Sequence, residues 1–215
     1  MGVLSAPGIS GVTVVPYREE DADAVVRLLA RAYTTNPLHV AAFGRDDSAR
    51  NESFFRIGLG TFQGAKVIAL QGNRLVGFMH WVRSPACLLP PRRKLGLAPH
   101  LAATLGVRST LRVVSWLAAW TTHDPATPHA HLGPIAVAPE AQSCGIGSRL
   151  MRAFCERLDA STLAGYLETD RAENVRFYQR FGFEVTASTA VLGVTTYFMK
   201  RHRGIDILQP RMAAR

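Results

Sequence analysis

Cysteine is scarce in this 215-residue chain. There are three, Cys87, Cys144 and Cys155, far apart and with no Cys-x-x-Cys. An odd, scattered set excludes a disulfide framework and reads as free thiols in a reducing compartment. The first residues lack a basic segment followed by an apolar one, so no secretory signal is read there. Met1-Gly2 opens like a myristoylation signal, but Ala6 stands where Ser or Thr is required. The longest apolar run, Val113 to Trp120, contains Ser115 and is far too short to span a bilayer. The expectation is a soluble cytoplasmic protein with no integral membrane segment. Acid is also in short supply: 16 Asp and Glu stand against 25 Lys and Arg, a net charge of +9. That surplus favours an anionic partner. No nucleic-acid-reading motif accompanies it and the arginines are dispersed, so a nucleic acid is not expected. Internal repeats and low-complexity tracts are absent.

At 47% hydrophobic and 19% charged residues, the chain has the makeup of a globular domain that buries a sizeable core. Val12 to Tyr17 predicts a first strand. Acid at Glu19 to Asp23 precedes a helical stripe of Val25, Leu28, Leu29 and Ala32, which Asn36-Pro37 ends. A second helix is predicted over Ser48 to Phe62. Lys66 to Gln71 and Leu75 to Val82, joined at Gly72-Asn73, predict a hairpin. Residues 84–128 form an insertion opened by Pro85, Pro90, Pro91 and the basic triplet Arg92-Arg93-Lys94. Helical spacing follows at Leu97, Leu101 and Leu105, then at Leu111, Val114, Leu117 and Ala118. This predicts two amphipathic helices that wall a pocket or bear an interaction surface, a membrane-surface role being the alternative. Strands are then predicted at His129 to Val137, Leu163 to Thr169, Phe183 to Ala187 and Thr195 to Met199. Helices are predicted at Cys144 to Ala160 and Glu173 to Phe181, the latter ended by Gly182.

The centre of the chain is the passage from the strand at Ile135–Ala138, through Pro139 and a glycine-punctuated loop, into a helix. Such a turn aims unpaired backbone N–H groups and the positive end of the helix dipole at one spot, which suits a phosphate. Gly145 and Gly147 let an anion approach the backbone. A dinucleotide fingerprint wants a third glycine, but Leu150 stands there. A Walker loop wants Lys-Ser or Lys-Thr after the glycines, and neither is present. Downstream, Asn174 and Tyr178 lie four apart and share a helix face, with Phe177 and Phe181 available to pack.

Taken together, Gln142-x-x-Gly145-x-Gly147 and the Asn174–Phe183 segment resemble the GNAT superfamily of acetyl-coenzyme A-dependent N-acetyltransferases. The likeness extends in element order over nearly the whole chain except residues 84–128. Gln142 to Gly147 resembles the family's pyrophosphate motif, Gln/Arg-x-x-Gly-x-Gly/Ala, and Tyr178 to Phe183 its Tyr-x-x-x-Gly-Phe motif. The run from Leu167-Glu168-Thr169 through Asn174 to Tyr178 is locally similar to puromycin-type small-molecule acetyltransferases. Cys144 departs from the family, which has a polar or basic residue there. The implied fold is a mixed α/β (α+β), mostly antiparallel central sheet of six to seven strands flanked by helices. The helical insertion falls between the third and fourth strands, within a single domain over 1–215 that ends in a basic tail, 201–215.

The resemblance also implies chemistry. Acetyl-coenzyme A is the implied co-substrate, held by Ile135, Ala136 and Val137 of the strand, by Gln142, Ser143, Cys144, Gly145, Ile146, Gly147 and Ser148 of the loop and helix start, and by Asn174 and Phe177. The Val137 N–H is the implied oxyanion donor, and Tyr178 matches the general acid. Glu168 and His131 are both candidates for the base. His131 resembles one of the paired histidines of arylalkylamine acetyltransferases, with Gly133 in place of the other. The implied reaction is direct attack of a small-molecule primary amine on the thioester. Acetylation of a protein N-terminus or lysine, or an acyl-coenzyme A-binding regulatory module without catalysis, are the alternatives, and a homodimer is open. His123, His129, His131 and Asp124 invite a metal reading. No second ligand pair is visible in the sequence and the mechanism needs no metal, so none is expected.

Overall fold

Seven strands and seven helices follow one another in a computed structural model that describes residues 11–45, 47–88, 90–161 and 163–202. The basic tail lies, from residue 203 on, outside the described residues. Strands β1 (Val12–Pro16), β2 (Ala65–Gln71), β3 (Arg74–Arg83) and β4 (His129–Val137) form one antiparallel half of the sheet. Strands β5 (Ala164–Thr169), β7 (Val194–Arg201) and β6 (Glu184–Val191) form the other. The order is β1-β2-β3-β4-β5-β7-β6, and the join between the halves, β4 to β5, is the one parallel pairing among the described residues. A parallel neighbour needs a crossover, and helix α6 (Ile146–Asp159) supplies it. The sheet is thus the mostly antiparallel, seven-stranded form of the expected fold.

Helices cover both faces. On one, α6 buries Ile146, Leu150, Met151, Phe154 and Leu158, an i, i+4, i+5, i+8, i+12 stripe. Trp81 meets Phe154 there. On the other, α1 (Ala22–Ala32) buries Val25, Val26, Leu28 and Leu29. Against it packs α3 (Ser48–Thr61), which buries Phe55 and Leu59. A short helix between them, α2 (Pro37–Phe43), is absent from the sequence reading, which took Asn36-Pro37 only as a stop. Proline lacks only an N–H that has no helical partner at the first position anyway. The Asn36 side chain caps the new helix by accepting the His39 N–H at 3.1 Å. The same dipeptide both ends α1 and starts α2.

The insertion forms two 15-residue helices, α4 (Pro91–Leu105) and α5 (Val107–Thr121), broken at Gly106. They lie over α2 and α3. Leu38, Ala42 and Phe43 of α2 form a second core with Leu105, Val113, Trp116 and Val191. The face of α5 that packs differs from the stripe read in the sequence. Val113 and Trp116 are buried, while Leu111, Val114 and Leu117 face outward. Both stripes have helical spacing, so periodicity alone does not choose between them. The β6–β7 hairpin also runs longer than predicted, turning at Leu192-Gly193, and its Val191 closes this second core. Among the described residues, no helix is long and apolar enough to cross a membrane.

His39 lies at the centre of this wall. It stacks on Phe55 and meets Tyr33, Phe43, Phe54 and Trp116 edge-on or tilted. Its Nδ1 is 2.6 Å from Asn51 Oδ1. Burial pulls its pKa down to about 4, against a supporting hydrogen bond to Asn51. The unfolded chain therefore takes up this proton near pH 6.5, while the folded chain resists it down to about pH 4. Acidification through that window favours unfolding, by about 2 kcal/mol at pH 5 from this residue. Urea titrations at pH 7 and pH 5 are expected to show that loss in the native chain and a flatter dependence in His39→Gln. Equal pH dependence in both chains would remove His39 as the cause.

Candidate active site

β4 and β5 pair only over His129, Ala130 and His131 against Ala164, Gly165 and Tyr166. Beyond that register the two strands part, and β4 continues to Val137 along β3 alone. The Ala138 N–H donates to the Val76 carbonyl at 2.9 Å, which makes that pair a bonding pair of the antiparallel ladder. Gly77 and Val137, the next pair, are then the non-bonding one. The Val137 N–H and C=O consequently point away from β3, into the gap. Two residues back, the Ile135 carbonyl also faces the gap and accepts the Tyr33 hydroxyl at 3.2 Å. Val137 carbonyl accepts the Gln142 side-chain amide at 3.3 Å.

The loop after β4 is held from outside. Glu140 forms ion pairs with Arg31 of α1, at 2.8 Å, and with Arg74 at the start of β3. Ser143 and Gly145 both adopt positive φ, 61° and 79°, and Gly145 is the N-cap of α6. A glycine cap offers no side-chain oxygen, and the first turn of α6 carries no acid. Its leading N–H groups, from Ile146 and Gly147 through Ser148, have neither helical acceptors nor a side-chain cap. A Cβ on Gly147 would lie 3.5 Å from Phe177 and 3.8 Å from Val137. The helix start, the exposed Cys144 beside it, the rim of β4 and α7 (Ala172–Gln179) therefore meet at one place. Ala136, by contrast, turns its side chain into the core beneath β4.

α7 carries Asn174 and Tyr178 one turn apart. Tyr178 is buried against Phe177 and Phe183. Burial raises its pKa well above the ordinary phenol value, and nearby Tyr33 and Asp170 add to the shift. Tyr33 is raised in the same way, by burial first and then by Asp170. Asp170 itself accepts Asn36 Nδ2 and the Leu38 N–H, each at 2.8 Å, and so ties the α1–α2 junction to the end of β5. Tyr33 and Asp170 had no signal in the sequence. Their partners are more than a hundred residues away in the chain.

At the vertex of the parting strands, His131 Nε2 is 2.8 Å from Glu168 Oε2. Both sequence candidates for the base are therefore brought together as one pair, with the Glu168 side chain 2% exposed. The second carboxylate oxygen, Oε1, is buried and has no hydrogen-bond partner. Gly133, which replaces the second of the paired histidines in the resembled family, faces a histidine from the next strand. A Cβ at Gly133 would collide with the His80 ring. His80 is neutral at ordinary pH, because burial draws its pKa down to about 4. The other nitrogen of His131 faces Asp124, with His129 and Cys87 beyond it. Burial disfavours charge on both imidazoles. The Asp124 carboxylate outweighs that effect at His129, raising its pKa to about 9, and Glu168 with Asp124 does so at His131. His123 stands apart, stacked on Phe198 at 4.0 Å.

Residues 24–183, more than half of the chain, match the family described as Acetyltransferase (GNAT) family. Solved structures with the same fold include a Corynebacterium glutamicum ATCC 13032 protein described as histone acetyltransferase HPA2 and related acetyltransferase, with TM-score 0.70 and 21% identity over 94% of this chain and 99% of that one. A Drosophila melanogaster polyamine N-acetyltransferase that forms N-acetylagmatine has TM-score 0.63 and 15% identity, over 89% and 99%. A GNAT-family acetyltransferase from Brucella melitensis in complex with acetyl-CoA has TM-score 0.51 and 15% identity, over 94% and 91%. The chain belongs to the GNAT acetyltransferase family and is an N-acetyltransferase.

Proposed function

We propose that the protein moves an acetyl group from acetyl-coenzyme A to a primary amine of a small molecule. The observation that carries this reading is the parting of β4 from β5, which turns the Val137 backbone toward a gap beside an uncapped, acid-free helix N-terminus. Backbone donors of Ser143 to Ser148 suit a pyrophosphate, with Gln142 bracing the loop through the Val137 carbonyl. The edge of β4 from Ile135 to Val137 suits an extended amide-bearing arm, with Phe177 beside Gly147 at its rim and Asn174, one turn before Tyr178 on α7, assigned to the same cofactor. The Brucella relative, which shares the fold, is complexed with acetyl-CoA.

In this scheme the amine nitrogen attacks the thioester carbon and the carbon–sulfur bond breaks. The Val137 N–H donates to the carbonyl oxygen as it gains charge. Glu168, oriented by His131, accepts the amine proton, directly or across one water. Tyr178 donates a hydrogen bond to the departing sulfur. Its raised pKa keeps the phenol protonated but makes complete proton transfer to a thiolate uphill, so stabilising the thiolate is its first role. The thiolate then takes a proton from solvent, Glu168 gives the amine proton up to solvent, and free coenzyme A leaves. A small acceptor is favoured because α2, α5 and the β6–β7 hairpin close into one apolar wall next to the α1–α2 junction that Asp170 ties to the end of β5. The polyamine N-acetyltransferase of the same fold handles an acceptor of this class.

The test is release of free coenzyme A from acetyl-coenzyme A over a panel of polyamines, aminoglycosides, amino acids and peptides. Turnover with small amines is expected. Turnover confined to peptides would move the acceptor to protein. Tight acetyl-coenzyme A binding with no transfer to any of them would make the protein a regulatory module.

A further inference from the structure

Four residues that the acetyl-transfer scheme does not need as a group converge beside β4. They are Cys87 just after β3, Asp124 just after α5, and His129 and His131 on one face of β4. One ligand atom from each falls within 4.8 Å of all the others. We propose that Cys87 Sγ, a carboxylate oxygen of Asp124, His129 Nε2 and His131 Nδ1 bind a zinc ion in a closed, four-coordinate site that fastens both ends of the insertion to the sheet.

Geometry carries this first. A tetrahedral zinc has bonds of about 2.0–2.1 Å to N and O and about 2.3 Å to S, so its ligand atoms stand roughly 3.3–3.6 Å apart. Here Asp124 Oδ1 is 3.3 Å from His131 Nδ1 and 3.4 Å from His129 Nε2. Cys87 Sγ is 3.8 Å from His129 Nε2 and 3.8–3.9 Å from the two Asp124 oxygens. These four of the six separations are near the edges of such a tetrahedron, and the other two, from His131 Nδ1 to His129 Nε2 and to Cys87 Sγ, lie within 4.8 Å and would shorten as the ligands draw in on the ion.

The outward nitrogens say which way the lone pairs point. His129 Nδ1 is 2.8 Å from the Thr127 carbonyl, and His131 Nε2 is 2.8 Å from Glu168. A carbonyl and a carboxylate only accept, so both outer nitrogens carry hydrogen. In a neutral ring the inner nitrogen of each then offers a lone pair to the same point. Metal-bound histidines are oriented in this way by a carbonyl or carboxylate on the far nitrogen. His131 Nδ1 is buried and makes no hydrogen bond, even though Asp124 is 3.3 Å away. That nitrogen is thus left without a hydrogen bond among three other potential ligand atoms.

The donor set selects the ion. One thiolate, two imidazoles and one carboxylate suit zinc and the softer divalent metals, whereas Ca²⁺ and Mg²⁺ take oxygen. Four protein ligands leave no position for a substrate, which marks a structural site. His129 is fully buried, and the Asp124 side chain is 7% exposed. The frame is also pinned without metal: the Ser84 N–H donates to the His129 carbonyl at 2.9 Å, and Ser84 Oγ accepts the His129 N–H at 3.0 Å. A metal at this point would close the insertion at its base, and would hold His131 in the tautomer that donates to Glu168. The zinc site stands whether or not the acetyl acceptor is a small amine.

The experiment uses the full chain without a histidine tag, expressed with zinc in the medium and freed of loose ions by gel filtration. About one zinc per chain is expected by elemental analysis, and less than about a fifth of that in Cys87→Ala and in His129→Ala. Cobalt added to the metal-stripped native chain is expected to give the intense visible bands of a four-coordinate ion and a thiolate charge-transfer band. The latter band is expected to vanish in Cys87→Ala. Cobalt spectra of the native chain decide the matter even if a variant fails to fold. A native chain that retains no zinc and gives no four-coordinate cobalt spectrum overturns the site. So do variants that retain zinc as the native chain does.

Discussion

Tyr178→Phe is expected to lower kcat by roughly 10²-fold while acetyl-coenzyme A affinity is unchanged, the lower end of what a positioned acid–base group contributes. Phenylalanine keeps the ring between Phe177 and Phe183, where Tyr178 is buried. The fold and the cofactor groove should therefore survive. What is lost is one hydroxyl near Tyr33, at the rim where the Ile135 carbonyl faces the strand gap. Burial holds this phenol protonated at every working pH, so the native rate should show no loss at high pH that can be assigned to Tyr178. Single-turnover rates in both chains separate the chemical step from coenzyme A release. Equal single-turnover rates would show that sulfur leaves without help from Tyr178.

Glu168→Gln is the second large effect, a fall in kcat/KM of roughly 10²-fold near neutral pH for an amine that arrives protonated. Glutamine is nearly the same shape, and its carbonyl oxygen can still accept the His131 N–H that Glu168 accepts at 2.8 Å. Position is kept and basicity is lost. The deficit should narrow as pH rises, because solvent then deprotonates the amine without the enzyme. A structural role would instead give a loss of the same size at every pH, with a lower melting temperature. Unaltered kcat/KM would place proton removal in solvent.

Much of the fold could be read in the sequence because its elements carry local signals. The Gly72-Asn73 turn, the stripe of α6 and the loop from Pro139 to Gly147 each announce themselves within about fifteen residues. The elements missed lack that locality. α2 hides behind Asn36-Pro37, a dipeptide that both stops one helix and caps the next. The packed face of α5 depends on what lies beneath it, and Val113 and Trp116 win over Leu111 and Val114 only because α2 and Phe54 are there. The site divides the same way. The glycine-punctuated loop proposed to hold the pyrophosphate is a short motif, legible in the sequence. Tyr33 beside Ile135, His80 against Gly133, and Cys87 beside Asp124 are contacts across strands or across the insertion. A lone cysteine among prolines gives no hint that two histidines and an aspartate surround it. In the sequence the histidines and Asp124 lack the further potential donor, Cys87, that only the fold brings beside them.

The basic charge of the chain also finds a narrower meaning. Arg31 and Arg74 are engaged with Glu140, and Arg171 with Thr35 and Glu173. These arginines brace the loop after β4 and the entry to α7 from outside. The anion site proposed here is made of backbone N–H groups at the start of α6, a device independent of side-chain charge.

The most direct measurement of the central claim is a paired assay on one reaction: free coenzyme A by thiol detection, and acetylated amine by mass spectrometry, with a polyamine as acceptor. Acetyl transfer predicts that the two products rise together in equal amounts, at a rate that Tyr178→Phe and Glu168→Gln both depress. Free coenzyme A without acetylated amine over the whole panel, or no release at all from bound acetyl-coenzyme A, would contradict it.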